Sequence, residues 1–233
     1  PDRVFDANSL AGTIRIVPIV NLPGYRRMIR DFPDNRDLNR AFPGNPDSNT
    51  TSRVANRLWK NIISTSDYIV EIGPGSGNLT NEILSKNPKK IIVIEKDESL
   101  IPILANKFID KLEILNLDIL KIDEKKLFKS KCKVFGNLPY NISTKILSKW
   151  ILNLDKEPWF DEMYLMFQKE VAERIVSETN KKSYGRLSIL SQWRLDCEIM
   201  FNIKPASFYP IPKVESALVK FTPKTNFVKI KNT

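Results

Sequence analysis

Residues 68–80 read YIVEIGPGSGNLT, and this segment indicates the fold of the chain more clearly than any other. A short apolar run is followed at once by Gly73, Gly75 and Gly77. Glycine is needed where the backbone takes unusual dihedral angles or lets a ligand come close. The stretch therefore predicts a buried strand over 68–73, a glycine turn that meets a nucleoside-containing ligand, and a helix that begins at 79–84.

The chain continues as an alternation of apolar strands and helices. We predict strands at 91–95, 112–117 and 133–136, and a helix at 99–108. Continuous apolar strands separated by helices are typical of a parallel sheet covered on both faces. The expected fold is an α/β, Rossmann-like domain with a mostly parallel sheet, whose right-handed crossovers bring the strand ends and the ligand to one edge.

Acidic residues stand at the ends of successive predicted strands. Glu95 can accept hydrogen bonds from two ribose hydroxyl groups and Asp118 from an adenine amino group, whereas the alternative makes each a solvated loop acid. The glycine spacing is G-x-G-x-G, not the G-x-G-x-x-G of dinucleotide sites, which counts against NAD. The pattern resembles the S-adenosylmethionine-dependent methyltransferase superfamily. The resemblance implies that S-adenosyl-L-methionine is bound by Glu71, Gly73, Gly75, Gly77, Glu95, Asp118 and Asn137.

The tetrapeptide NLPY at residues 137–140 follows the fourth predicted strand at the same edge. The side-chain oxygen of Asn137 and the carbonyl oxygen of Leu138 suit the two N–H groups of an adenine amine, and Pro139 fixes the turn. Tyr140 can stack on a splayed-out base. The alternative for an isolated NLPY is a proline turn with a tyrosine in the core.

Residues 68–221 resemble the small-subunit rRNA adenine dimethyltransferases, the KsgA-type family. Besides the glycine turn, the likeness rests on NLPYNIST (137–144), FQKEVAERI (167–175), KKSYGRLSILSQ (181–192) and IKPASFYPIPKVESALVKF (203–221). It implies transfer of two methyl groups to N6 of each of two adjacent adenosines near the 3′ end of small-subunit rRNA. It also implies that Phe208 closes on the target base opposite Tyr140, for which core packing of Phe208 is the alternative.

Residue usage changes near residue 67. Residues 1–68 hold nine Arg, one Lys and no Glu, whereas residues 69–233 hold three Arg, 24 Lys and 13 Glu. TIRIVPIVNLPGY and RDLNRAFPG resemble the zinc-dependent succinylglutamate desuccinylase/aspartoacylase family, and this resemblance implies that Asn39 and Arg40 help to hold substrate. The alternative, which we favour, is that these two residues form a structural turn. Because the chain has no His, the metal site of that family cannot form, and we expect no metal and no deacylase activity. We predict a deacylase-like fragment over 1–66 and a methyltransferase catalytic domain over 67–233 that lacks the family's helical C-terminal domain.

The amino-acid composition of the chain indicates which kinds of partner it binds and where in the cell it works. The net charge of +10 favours a polyanionic partner, here small-subunit rRNA or the pre-ribosomal small subunit, and two Cys without a long apolar run favour a cytoplasmic protein that avoids membranes. We expect a monomer. Two other hypotheses stay open: an antibiotic-resistance type methyltransferase of large-subunit rRNA and a non-catalytic RNA-binding assembly factor. The absence of His argues against a further hypothesis, a zinc deacylase. The residues that either meet phosphates or form a solvated basic surface are Arg174, Lys181, Lys182, Arg186 and, beside the aromatic loop, Lys213.

Overall fold

The structure is a computed structural model that describes residues 68–154, 157–205 and 213–227. The predictions for residues 1–66, including Asn39 and Arg40, and the prediction for Phe208 lie outside the described residues.

Seven strands form a single sheet in the order β3-β2-β1-β4-β5-β7-β6. The first five are parallel, and β7 runs antiparallel to both of its neighbours. The prediction of a Rossmann-like, mostly parallel α/β fold is confirmed. The strands are β1 (Tyr68–Ile72), β2 (Lys90–Glu95), β3 (Glu113–Asn116), β4 (Cys132–Gly136), β5 (Phe160–Gln168), β6 (Leu195–Ile203) and β7 (Ser216–Pro223).

Short helices connect the parallel strands and cover the sheet. The predicted helix at 99–108 divides into a 3-10 turn at Glu98–Leu100 and an α-helix, because Asp97 caps the turn and a proline stands in the first turn of the helix that follows. In the described ranges, no helix is long and apolar enough to cross a membrane. The helices are α1 (Asn78–Leu84), α2 (Ile101–Lys107), α3 (Glu124–Leu127), α4 (Tyr140–Leu152), α5 (Lys169–Ile175) and α6 (Arg186–Arg194).

The core lies on both faces of the sheet. Side chains of a strand alternate between its faces, so neighbours in β1 enter different clusters. Ile69 packs with Val93 and Phe135, whereas Val70 packs on the other face in the cluster that contains Trp150. All five side chains are almost fully buried, and burying one large apolar side chain stabilises a fold by about 1.5–3 kcal/mol. This two-sided burial explains the continuous apolar runs in the sequence.

A shared carboxylate ties the parallel half of the sheet to the antiparallel half. Glu162 on β5 lies 3.2 Å from the Nζ atom of Lys133 on β4 and 2.6 Å from that of Lys220 on β7. Partial burial pushes the pKa of Glu162 upward, but the hydrogen bonds from Lys220 and Tyr164 and the charge of Lys133 outweigh it and hold the pKa below its ordinary value. The Glu162 carboxylate therefore links β5 to both of its neighbours, β4 and β7.

The strand order reverses between β1 and β4, and these two strands end side by side, with Ile72 opposite Gly136. A crevice opens at the carboxyl ends of strands at such a reversal, and ligands of open α/β sheets bind there. At the same edge, Ser216 at the start of β7 pairs with Gln168 at the end of β5.

Candidate cofactor and target-base site

The glycine turn follows β1 as predicted. Gly73, Gly75 and Gly77 have φ angles of 65°, 58° and 78°, which side chains rarely adopt. The Gly73 amide donates to the carbonyl oxygen of Ile94 on β2 at 2.9 Å. A Cβ atom at Gly73 or Gly75 would meet nothing within 4 Å, whereas one at Gly77 would lie 2.4 Å from the Phe108 ring. Two glycines therefore leave open space for a ligand, and the third allows the segment after α2 to pack.

Glu95 ends β2 and is 8% exposed. Its Oε2 atom accepts from the Gly75 amide at 3.2 Å and its Oε1 atom from the Asp97 amide at 2.9 Å. Each carboxylate oxygen has further lone pairs. The carboxylate is therefore fixed in orientation by the backbone and keeps capacity to accept from a ligand.

Glu71 lies one residue before the end of β1 and is 1% exposed. Burial is the main cause that raises its pKa to about 7, the charge of Glu95 adds to the rise, and a hydrogen bond from Thr80 opposes it. The Thr80 hydroxyl donates to Oε2 of Glu71 at 2.7 Å. A carboxyl group with so perturbed a pKa in a crevice is typical of a functional site.

Asp118 follows β3 and is partly exposed. The Leu120 amide donates to its Oδ1 atom at 3.0 Å, and Lys96 lies 3.0 Å from its Oδ2 atom. The hydrogen bond from Leu120, and next the one from Lys96, hold the pKa of Asp118 below its ordinary value. The carboxylate is therefore ionised and available as an acceptor at neutral pH.

Glu71, Glu95, Asp118 and Asn137 all line one cleft of about 720 Å³, a volume within the usual range of small-molecule and cofactor sites. Of the residues predicted to hold the cofactor, Gly77 stands outside its lining. The sequence did not reveal the apolar wall, although Ile142 and Ile146 are four residues apart on α4 and so share a helix face. The predicted residues in the lining are Glu71, Gly73, Gly75, Glu95, Asp118, Asn137, Leu138 and Pro139.

The NLPY segment joins β4 to α4. Asn137 is exposed, whereas the Leu138 side chain is 3% exposed and lies against Gly136. Pro139 caps α4, and its carbonyl oxygen accepts from the Ile142 amide at 3.0 Å. The segment is therefore a rigid turn that presents Asn137 to the cleft.

Tyr140 begins α4 and stands outside the lining of the cleft in the described part of the chain. Its hydroxyl group shares a hydrogen bond of 2.6 Å with that of Ser216, which is fully buried. The ring is thus fixed beside the cleft. Ser216 lies 76 residues away along the chain, so no local sequence signal pointed to it.

A second cleft, of about 700 Å³, lies between α5 and the start of α6. Arg174, Lys182 and Arg186 line it, and Lys181 does not. Arg174 also pairs with Glu170, another lining residue. The structure therefore gathers three of the four predicted basic residues of this region, together with acidic neighbours.

The fold and the cleft define a class, the Rossmann-like S-adenosylmethionine-dependent methyltransferases. The crystal structure of 23S rRNA methyltransferase ErmE shares this fold, with a TM-score of 0.61 at 22% identity, over 74% of this chain and 68% of that one. A dimethyladenosine transferase from Plasmodium falciparum has a TM-score of 0.62 and 33% identity, over 72% of this chain and 59% of that one.

Within that class, the chain belongs to the ribosomal RNA adenine dimethylase family, whose sequence profile matches residues 48–233. The predicted family is confirmed. A second profile, that of the succinylglutamate desuccinylase/aspartoacylase catalytic domain, matches residues 3–86, so the two matches overlap across the predicted junction.

Curated relatives carry the name ribosomal RNA small subunit methyltransferase A. The protein from Pelagibacter ubique is 57% identical over 168 residues, which are 72% of this chain and 64% of that protein. A Bradyrhizobium protein is 40% identical over 211 residues, 89% of this chain and 73% of that protein. The matched part of the chain thus spans 64% of the length of the Pelagibacter relative and 73% of the length of the Bradyrhizobium relative.

Proposed function

We propose that this chain transfers methyl groups from S-adenosyl-L-methionine to N6 of two adjacent adenosines near the 3′ end of small-subunit rRNA, as a step of ribosome maturation. The observation that carries the proposal is the shared cleft. Asn137 and Leu138 line the same space as Glu71, Glu95 and Asp118, so an amine held by Asn137 and Leu138 would face a nucleoside held by the acids. The names of the curated relatives support this substrate.

The residues present fit the cofactor. The open space at Gly73 and Gly75 admits a ligand against the backbone. Glu95, fixed by two amides, would accept from ribose hydroxyl groups, and Asp118 would accept from the adenine amino group. When bound, the cofactor supplies an electrophilic methyl group on a sulfonium centre.

The chain's own groups then orient the target amine. The adenine N6 lone pair is delocalised into the ring, so the amine is a weak nucleophile. Acceptance of its N–H groups by Asn137 and Leu138 would keep the nitrogen aimed at the methyl carbon, and positioning of this kind is a large part of catalysis. Methyl transfer would form a bond to this nitrogen at the expense of the methyl–sulfur bond, whose electrons would stay on sulfur. The nitrogen becomes positively charged and strongly acidic and releases its proton to water, so no histidine is required.

The RNA would approach from the β5 side of the cleft. Tyr140, fixed through Ser216, offers a ring for the flipped base, and the cleft lined by Arg174, Lys182 and Arg186 follows the end of β5. Unpaired bases commonly stack on aromatic side chains. Basic side chains beside them position the RNA through phosphate contacts.

Two measurements test the proposal. Calorimetry should give saturable binding of S-adenosyl-L-methionine to the full chain. Labelled cofactor should then label small subunits that lack the modification, with N6,N6-dimethyladenosine as the product, and Asn137→Ala should abolish the label while RNA binding persists. Label in large subunits instead would favour the antibiotic-resistance type of enzyme. RNA binding without transfer would favour an assembly factor.

We also propose that the protein is a monomer and that it works in the cytoplasm. Light scattering during size-exclusion chromatography checks the first part and fractionation of the source cells the second. A stable dimer or a membrane-bound pool would contradict them.

A further inference from the structure

Lys149 on α4 has all of its hydrogen-bonding capacity engaged at one place. Its Nζ atom donates to the carbonyl oxygens of Ile119 at 2.7 Å and Ile122 at 2.6 Å, and to Oε1 of Glu124 at 2.5 Å. A lysine ammonium has three N–H donors, so these three acceptors saturate it. The side chain is 17% exposed. Lys149 therefore ties the chain that follows β3 to α4.

Glu124, the first residue of α3, completes this arrangement. It is 5% exposed, and the same Oε1 atom accepts from the indole N–H of Trp150 at 2.8 Å. Removal of one partner of a buried ion pair leaves an uncompensated charge, which strongly disfavours any displacement of the pair. The Lys149 ammonium thus contacts the segment between β3 and α3 at Ile119 and Ile122, and the first residue of α3 at Glu124.

The segment held in this way, residues 118–122, is called here the 118–122 loop. It carries Asp118, whose carbonyl oxygen accepts from the Lys121 amide at 2.8 Å and whose Oδ1 atom accepts from the Leu120 amide at 3.0 Å. These internal bonds make the loop a compact turn. Besides the ion pair of Asp118 with Lys96 and the burial of Ile119 in the core, the two hydrogen bonds from Lys149 place this turn as a unit.

We propose that Lys149 is a positioning residue, which holds the 118–122 loop so that Asp118 selects an adenine ring through its exocyclic amino group. Helix α4 then sets both ends of the cleft, since its first turn follows Asn137 and its third turn carries Lys149. The inference rests on the role proposed for Asp118 in cofactor binding and adds the residue that makes that role selective.

The test compares two ligands by calorimetry on the full chain: S-adenosylhomocysteine and its 6-oxo analogue S-inosylhomocysteine, which lacks the amino group. The dissociation constant of S-inosylhomocysteine divided by that of S-adenosylhomocysteine measures how strongly the protein selects the amino group. Lys149→Met should lower the ratio by about tenfold, the value of one hydrogen bond to a charged acceptor. Asp118→Ala should lower it equally, and the double variant should lower it no further.

A second variant separates a loss of selectivity from a loss of folding. Lys149→Met combined with Glu124→Gln leaves no unpaired buried charge and keeps an acceptor for Trp150, and it should show the same low ratio. The matched control is Lys90→Met, which breaks the half-exposed pair with Glu113 at 2.6 Å and should leave the ratio unchanged.

Three results would overturn the inference. If the melting temperature of either Lys149 variant falls while the ratio stays at the wild-type value, Lys149 only stabilises the fold. If Asp118→Ala lowers the ratio and both Lys149 variants do not, the inference fails and the role of Asp118 stands. If the wild-type ratio is near one, the role of Asp118 and this inference both fail, and methyl transfer itself is judged separately by the labelling assay.

Discussion

The hydroxyl group of Tyr140 lies 2.6 Å from the Oγ atom of Ser216, and this hydrogen bond joins the first turn of α4 to the first residue of β7. Tyr140 stands beside the cofactor cleft rather than in its lining. The tyrosine ring is thus held by the antiparallel part of the sheet, while the cofactor cleft is formed from the parallel part.

Substitutions at this pair should separate target binding from cofactor binding. We expect Tyr140→Ala to lower methyl transfer by at least about a hundredfold, since stacking on a base is worth about 1–3 kcal/mol and orientation is lost as well. Ser216→Ala should lower it only a few-fold, because the ring remains. Steady-state kinetics on unmodified small subunits measures both effects. Calorimetry serves as the control, and a cofactor affinity that changes more than about threefold would place Tyr140 in the cofactor site instead.

Gly77→Ala and Gly75→Ala form a matched pair for stability. Both positions have positive φ, which costs a residue with a side chain about 1–2 kcal/mol. A Cβ atom at Gly77 also lies 2.4 Å from the Phe108 ring, whereas nothing lies within 4 Å of one at Gly75. We expect Gly77→Ala to cost about 1–3 kcal/mol more in urea unfolding. Equal losses would show that Phe108 moves aside freely.

The ionisation of Glu71 should make stability depend on pH. Its pKa of about 7 in the folded chain lies above the ordinary value of 4.5, so between these values the folded state keeps a proton that the unfolded state has lost. The free energy of unfolding should therefore fall as pH rises from about 5 to 7, by at most ~3 kcal/mol from this group. Glu71→Gln should lack that fall. Urea titrations at several pH values measure the difference, and the exposed Glu98→Gln is the control. Parallel curves for the wild type and Glu71→Gln would contradict the shifted pKa.

Neutral substitutions in the second cleft should weaken RNA binding without changing cofactor affinity. If Lys182 and Arg186 each contact one phosphate, Lys182→Gln and Arg186→Gln should each reduce the slope of log affinity against log salt by about 1. Filter binding at several salt concentrations measures this. Lys111→Gln, which precedes the edge strand β3 on the far side of the sheet, should leave the slope unchanged. An equal slope in all variants would mean that the second cleft is only a solvated surface.

The parallel half of the fold followed from the sequence, because β1 to β4 are short apolar runs bounded by glycine and charged residues. Their predicted bounds agree with the structure to within one residue. The acids of the cleft were predictable for the same reason, since Glu95 and Asp118 stand where strands end. Their roles as ligands remain predictions.

Less of the antiparallel half of the sheet could be predicted from the sequence. Neither the pairing of β7 between β5 and β6 nor the contact of Tyr140 with Ser216 has a local pattern, because both depend on residues far apart in the chain. Lys149 also gave no signal, since a lysine on a helix is ordinarily solvated. Its partners, the carbonyl oxygens of Ile119 and Ile122, are backbone atoms that any sequence would supply.

The insertion of β7 between β5 and β6 has a consequence for synthesis of the protein. A nascent chain that has emerged as far as β6 already contains every strand of the cofactor cleft, but β7, the strand with which β6 pairs in the described sheet, has yet to be made. The cofactor cleft can thus take shape while the chain is still being made, and the support for Tyr140 comes last. If Tyr140 stacks on the target base as proposed, the ability to bind that base would arise in a single late event, after the ribosome has made nearly the whole of the described domain.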